Sequence, residues 1–334
     1  MNDIDFFSSN NYLFLPTKNR PRVALVVDTK ELTENSFKLY NPFSIKAKIF
    51  KQLILWASVY FRYIIKFNYL KKEKSQFIIY LEYKLQQPLT VSLYFATIQD
   101  KVVLQLQSTD ASILGYLKFP LNDLGEKHIQ NEIEAIKILS KNKIVEPFML
   151  SDEYQKKSFL LIKELKGKIE SIDRKNIDII LKQFYKDKKY LLLLHPRIKK
   201  LQYLLTQNSM TGYLSKVNNI SKDSIINYRL VYEHGDFAPW NIIKVDDIYT
   251  HFDFEYFEED GLEYFDLIKY YYQIGRLLKS KQDRELIDFV FENIKIQEIK
   301  ELFELFLIKE IVINKIEDKS FKFEEKIIKI LESL

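Results

Sequence analysis

The segment Val231-Tyr-Glu-His-Gly-Asp-Phe-Ala-Pro-Trp-Asn-Ile-Ile243 places Asp236 and Asn241 five residues apart, just ahead of a strand pattern. Twelve residues beyond Asn241, after the turn-forming pair Asp246-Asp247, Asp253 sits in His251-Phe-Asp-Phe-Glu255. Two strands joined by a tight turn bring their outer ends together, so Asn241 and Asp253 can converge on one ion with Asp236 alongside. An amide and two carboxylates gathered in this way form a metal and general-base cluster. Phosphoryl transfer needs such a set, because its transition state is helped mainly by positioning and by cancelling phosphate charge. The bland alternative is a surface loop with chance polar residues, in which Asp246-Asp247 are ordinary turn formers.

His234-Gly-Asp236 with Asn241, followed by Asp253 and then Asp266-Leu267 before a tyrosine-rich helix, resembles the catalytic region of the aminoglycoside phosphotransferase and choline kinase superfamily, relatives of protein kinases. The H-x-D-x-x-x-x-N spacing is also that of the protein-kinase catalytic loop. The resemblance follows the order of elements over about 77–280 and is specific over about 231–270. It implies a bilobed α+β, protein-kinase-like fold with a small antiparallel-sheet lobe and a larger helical lobe. It also implies an ATP- and Mg2+-dependent phosphotransferase acting on a hydroxyl of a small molecule or sugar; a glycan precursor would follow only from membrane placement of the stretch 43–74. By the same resemblance Asp236 is the catalytic base, Asn241 and Asp253 hold magnesium, His234 braces the loop and Asp266 anchors the helix that follows.

The amino-terminal half should then supply a strand lysine and a helix glutamate whose ion pair places the nucleotide phosphates. Ser112-Ile-Leu-Gly-Tyr-Leu-Lys118-Phe is a strand with one lysine near its end. Two glutamates compete for the partner role. Ile129, Glu132, Ile133, Ile136 and Leu139 share one helical face, so Glu132 falls in the apolar stripe and Glu134 towards water. A carboxylate in an apolar stripe wants a cation, which selects Glu132. The alternative is a lysine that snorkels from a strand edge and a boundary glutamate. Phe159 to Gly167 resembles the hinge, where backbone groups around Lys163, Glu164 and Leu165 would meet the adenine. The chain departs from the family pattern at the phosphate-covering loop, since Thr97-Ile-Gln-Asp-Lys101 has no glycine. A second reading therefore stays open: a pseudokinase that binds nucleotide, or a protein or membrane partner, without catalysis.

Composition excludes several other chemistries. The 334 residues include no cysteine, which removes disulfides, thiolate zinc sites, iron–sulfur clusters and cysteine nucleophiles. The seven glycines lie no closer than nine residues apart, so neither G-x-G-x-x-G nor G-x-x-x-x-G-K can be written into the chain. A net charge of +5 does not mark a nucleic-acid binder. The first eleven residues carry two aspartates and no basic residue, and no run reaches 18 apolar residues, which together read as a cytosolic protein.

The elements that must position these residues divide into three regions: 1–76 as an amino-terminal extension, 77–164 as a small lobe, and 165–334 as a helical lobe carrying the catalytic loop and metal-binding hairpin. Val23 to Val27 is a short strand. Asn41-Pro42 opens a helical stretch to about Lys74, with asparagine as N-cap. From Phe77 the pattern reads as an antiparallel meander of 77–85, 90–97, 101–107 and 112–119. Asp123-x-x-Glu126 matches a capping box for a helix to about Lys141, and 159–165 is one more strand. Beyond it the chain reads as helical except for the pair 241–245 and 248–254.

Asp253 to Asp266 holds seven acids and no base. It reads as a solvated loop ending in a helix N-cap, or as an attractor for a cationic substrate with Glu255 as an added metal ligand. His128 and His195 read as boundary or surface residues, and His251 flanks the metal position. From Phe43 to Lys74 there are eight basic residues against one acid, interleaved with apolar residues. The uncharged run Gln52 to Phe61 is ten residues, about half of what a bilayer crossing needs. Two readings remain: packing on the small lobe, or peripheral contact with an anionic membrane with Trp56 at the interface.

Overall fold

The computed structural model describes residues 4–17, 19–40, 45–61, 69–95, 100–169 and 172–334. The chain is α+β and divides into two compact units, 1–133 with 147–164, and 134–146 with 165–334. Asn41 to Ser44 and Thr97 to Gln99, which carry the expected N-cap and most of the glycine-free loop, lie outside the described residues.

The first unit is built on an eight-stranded sheet. In chain order its strands are β1 (Asn11–Leu15), β2 (Val23–Val26), β3 (Tyr69–Lys71), β4 (Thr90–Phe95), β5 (Lys101–Gln107), β6 (Ile113–Pro120), β7 (Leu150–Tyr154) and β8 (Lys157–Lys163). The spatial order is β3-β1-β2-β4-β5-β6-β8-β7, with every pairing antiparallel. The expected meander is present as β4-β5-β6. Its first member is not: Gln76–Leu85 is a helix, with the Ser75 Oγ accepting from the Ile78 N–H at 3.3 Å. Phe77, Ile78 and Leu81 are its buried residues, a helical spacing that a run of aromatic and β-branched residues disguised as a strand.

The boundary expected at residue 76 is also corrected. Strands β1 to β3 extend the same sheet, so the amino-terminal residues are part of the first unit and not an appendage. Alternation along β1 shows why: Tyr12 and Phe14 enter one apolar cluster and Leu13 and Leu15 another, so both sheet faces are covered there. The helices of this unit are α1 (Lys30–Ser36), α2 (Ile45–Tyr60), α3 (Gln76–Leu85) and the start of α4 (Asp123–Lys141). At the head of α4 the side chain that caps is Asn122, whose Oδ1 accepts from the Gly125 N–H at 2.9 Å. Glu126 does not close a capping box with Asp123; it accepts the Ser158 N–H at 3.1 Å and so ties α4 to β8.

The second unit is not helical apart from one hairpin, as the sequence suggested. Strands β9 (Tyr185–Leu191), β10 (Asn227–Glu233) and β13 (Glu258–Leu262) form a three-stranded antiparallel sheet in the order β13-β10-β9. The expected hairpin is β11 (Ile242–Val245) with β12 (Ile248–His251), turned by Asp246 and Asp247, both at positive φ. The helices are α5 (Arg174–Lys182), α6 (Pro196–Gln207), α7 (Thr211–Asp223), α8 (Phe265–Gln273), α9 (Asp283–Asn293), α10 (Ile299–Ile316) and α11 (Lys322–Glu332).

Candidate active site

The loop that follows β10 is held from three directions. Asp266, in the first turn of α8, accepts the backbone N–H of His234 at 2.7 Å and of Gly235 at 3.0 Å. Gly235 has φ +80°, and a Cβ there would stand 2.0 Å from the Tyr256 carbonyl oxygen, so only glycine fits. The buried His234 ring donates from Nε2 to the Phe252 carbonyl at 3.0 Å and packs on Phe254 with centroids 4.5 Å apart. Burial lowers the His234 pKa against the pull of the Asp236 and Asp253 charges. A neutral ring suits its position as a brace.

Asp236 itself is half-buried. The Asn241 amide donates to the Asp236 carbonyl at 2.9 Å and to its Oδ2 at 3.0 Å, so the two residues five apart in sequence are joined side chain to side chain. Asn241 precedes β11, and its carbonyl accepts the Phe252 N–H at 3.1 Å, which continues the Ile242–His251 register by one step. Asp253 follows directly, at φ +71°. The hairpin thus leaves Asp253 one residue beyond Phe252, the residue whose N–H meets the Asn241 carbonyl.

With the Asn241 nitrogen engaged by Asp236, its amide oxygen is the atom left to offer. An amide oxygen here and the Asp253 carboxylate are hard-oxygen donors, of the kind that would suit Mg2+ and not a soft metal. His251 was expected to flank this position. Its ring is instead buried beside Phe184 and His234, and burial, then the neighbouring His234, drive its pKa down to about 3.

One neighbour of Asp236 escaped the sequence reading. Lys269, on α8, sits 3.5 Å from Asp236 Oδ1 and 2.7 Å from Glu310 on α10. Glu310 also meets Lys309 at 3.1 Å, Lys309 meets Glu233 at 3.1 Å, and Glu233 meets Arg197 on α6 at 2.9 Å. Alternating charges thus run from Arg197 to Asp236, and Arg197, Glu233, Lys309 and Lys269 among them are buried. Burial pushes Glu233 up, but Arg197 and Lys309 outweigh it and hold the carboxyl at about 2. Burial and Glu233 push Asp266 the other way, to about 7, against its two N–H donors. The signal available in the sequence was a lone lysine within Phe265-Asp-Leu-Ile-Lys-Tyr-Tyr-Tyr272, which wants a carboxylate for the same reason Glu132 wants a cation.

In the first unit, Lys118 lies on β6 between Val103 of β5 and Leu160 of β8. Its Nζ meets both carboxylate oxygens of Glu132, at 2.7 and 2.6 Å, with both residues buried. Glu134 is exposed and lies 3.8 Å from the exposed Lys137. Helical periodicity separated the two glutamates as the structure does. Lys163 ends β8 exposed, and Glu164 and the half-buried Leu165 follow where the chain passes from the first unit to the second.

Three other expectations are corrected. His195 is fully buried: its Nδ1 accepts the Arg197 N–H at 3.2 Å as the N-cap of α6. His128 is buried and lies 3.2 Å from Asp100. The acidic run is not a loop throughout, because Glu258–Leu262 is β13, although Glu259 and Asp260 on it are exposed as expected. Glu258 pairs with Arg197 at 3.2 Å and Lys200 at 2.5 Å, while Asp260 pairs with Lys186 at 3.2 Å. Glu255 lies half-buried in the turn before that strand.

No family model matches the chain, and no curated protein matches it. Solved structures do. A choline kinase, LicA from Streptococcus pneumoniae, overlaps 78% of this chain and 100% of its own at 15% identity and a TM-score of 0.48. A Plasmodium vivax ethanolamine kinase overlaps 92% of this chain and 94% of its own at 13% identity and TM-score 0.44. A streptomycin–ATP complex of the phosphotransferase APH(2")-IIa overlaps 77% and 95% at 13% identity and TM-score 0.42. These neighbours are of the type that the loop motif resembles. Every one of these TM-scores is below 0.5, so the case for function stands on the chain's own residues.

Proposed function

We propose that the protein transfers the γ-phosphoryl group of ATP to a hydroxyl of a small molecule or sugar. The observation that carries this reading is the folded loop: Asp236 held by the Asn241 amide, on a turn fixed by Asp266, with Asp253 next to the residue paired with Asn241. In the reaction the acceptor oxygen bonds to the γ-phosphorus, the bond from that phosphorus to the β-bridging oxygen breaks, and ADP leaves. Asp236 orients the hydroxyl and takes its proton. Asn241 and Asp253 would hold Mg2+, which when bound cancels phosphate charge. Lys118, kept extended by Glu132, would meet the nucleotide phosphates, and backbone groups at Lys163 to Leu165 would meet the adenine. His234 and Asp266 hold the loop and touch no substrate.

The glycine-free stretch Thr97 to Lys101 favours a second reading, a protein that binds nucleotide without turnover. One assay separates the two: ADP release by the purified full chain against a panel of aminoglycosides, amino alcohols, nucleosides and sugars. Acceptor-dependent release that Asp236→Asn lowers by about 10²–10⁴-fold supports the transferase. Nucleotide binding with no acceptor-dependent release across the panel supports the non-catalytic protein.

A further inference from the structure

Helix α2 meets the packing reading of the basic, apolar stretch on one face and leaves another face exposed. Its inner face carries Ile54 and Leu55, which pack on the cluster formed by residues such as Leu13, Val23 and Leu25 of the sheet. Its outer face should then be polar, as on an ordinary surface helix. It is not. Ile49, Leu53, Trp56 and Tyr60 are 57%, 60%, 54% and 62% exposed. At i, i+4, i+7 and i+11 they fall within about 60° of arc and run about 16 Å along the axis. Phe50 and Phe61 widen the stripe, and the Trp56 and Phe61 rings stand 4.6 Å apart at its end. Single exposed apolar residues are ordinary, but a contiguous stripe marks a contact surface.

The charges around the stripe identify what covers it. Helix α2 carries Lys46, Lys48 and Lys51 and no acid. At the far end the Lys30 ammonium lies over the Tyr60 ring, 5.7 Å from its centroid. The adjoining α1 contributes Glu31 and Glu34, offset by Lys30 and by Lys38 just after it. Uncompensated cations therefore gather along the amino-terminal part of the stripe, and Lys30 alone of the far end's near-balanced charges lies over it. A second copy docking through the same face with its helix parallel would set lysines against lysines. An anionic surface meets the whole pattern. No described helix is long and apolar enough to cross a membrane, so contact through α2 is along the interface.

We propose that the outward face of α2 docks on an anionic lipid surface, with Ile49, Leu53, Trp56 and Tyr60 entering the interfacial layer and Lys46, Lys48 and Lys30 meeting the headgroups. This is independent of the phosphotransferase reading and holds or fails without it. The test is flotation of the full chain with vesicles rich in phosphatidylserine and with vesicles of phosphatidylcholine alone. The expected result is flotation with the anionic vesicles at low salt, weakened by high salt, and none with the neutral ones.

Lys46→Gln with Lys48→Gln should lower partitioning by about thirtyfold, at roughly 1 kcal/mol per basic residue. Leu53→Glu with Trp56→Glu should abolish it; both side chains face water, so circular dichroism of these variants should match the parent. The chain has two tryptophans, and in a Trp240→Phe background the emission of Trp56 should move to the blue on anionic vesicles. Protein that stays at the bottom of the gradient with anionic vesicles at low salt overturns the proposal. So does a dimer in solution that Leu53→Glu dissolves, if no flotation accompanies it.

Discussion

Asp236 touches three things at once: the Asn241 amide, the Lys269 ammonium and solvent. The lysine is read as a positioning group, because its shorter contact is to Glu310 and its contact to Asp236 is the longer one. Burial lowers the Lys269 pKa, but Glu310 and Asp236 outweigh it and raise it, so the side chain stays charged. Lys269→Met should therefore lower kcat by about 10–100-fold with KM for ATP little changed, a misplacement effect. Lys269→Arg, which keeps the charge, should restore most of that loss. Equal loss in both variants, or a change confined to KM, would show that the contact positions nothing. For the pair in the other unit, Glu132→Gln should impair ATP use and Glu134→Gln should not, read as kcat/KM for ATP. The sequence disclosed Lys118 and Glu132 because each stood alone in an apolar pattern. It singled out Asp236, Asn241 and Asp253 as candidates because one short segment and one hairpin hold them. Lys269 to Arg197 went unseen because the chain of charges joins four elements far apart in sequence, and pairing of that kind is fixed only by tertiary packing.

Elements were legible where one periodicity dominated and illegible where two competed. β4 to β6 alternate cleanly, and α4 carries a helical stripe, so both were read correctly. Gln76–Leu85 is rich in residues that favour strands, yet Ser75 caps it and its buried set has the helical spacing. β9 and β13 were hidden by charge: Tyr185–Leu191 holds four consecutive charged residues and Glu258–Leu262 opens on three consecutive acids, with Lys186 of one meeting Asp260 of the other. The cap of α6 yields a prediction at this scale. The His195 Nδ1 accepts the Arg197 N–H, and its Nε2–H donates to the Arg229 carbonyl at 3.4 Å, a pattern that only the neutral ring can make. Burial takes its pKa down to about 4 from an ordinary 6.5. Between those values the unfolded chain binds the extra proton, so stability falls as pH drops from about 6.5 to about 4, by at most about 3 kcal/mol. His195→Asn keeps a capping oxygen and removes the titration. Urea midpoints of the two proteins should therefore converge or cross as the pH falls through that window, and parallel curves would refute the account.

Across the whole molecule, chemistry is divided between units whose boundary the sequence located at one end and missed at the other. Glu164 and Leu165 part the two units where a boundary was expected, while the sheet runs past residue 76 to include β1 to β3. A strand that adds to the edge of an existing sheet has no composition of its own to mark it, which is why the extension looked separate. Lys118 with Glu132 belongs to the first unit and Asp236, Asn241 and Asp253 to the second. Any ligand that needs both sets should stabilise the folded chain by mass action, about 2.7 kcal/mol when present at a hundred times its Kd. For a unit of this size that is several degrees in Tm. ATP with magnesium should raise the Tm of the wild-type protein and of Asp236→Asn alike, since the base contributes to transfer and not to holding nucleotide. Lys118→Met should lose the shift because the phosphates lose their cation. Asp253→Asn should lose the part of the shift that depends on magnesium, so that ATP with and without the metal give the same Tm. If Asp236→Asn lost the shift while Asp253→Asn kept it, the roles assigned to the two carboxylates would have to be exchanged, even though the loop that holds them would stand as described.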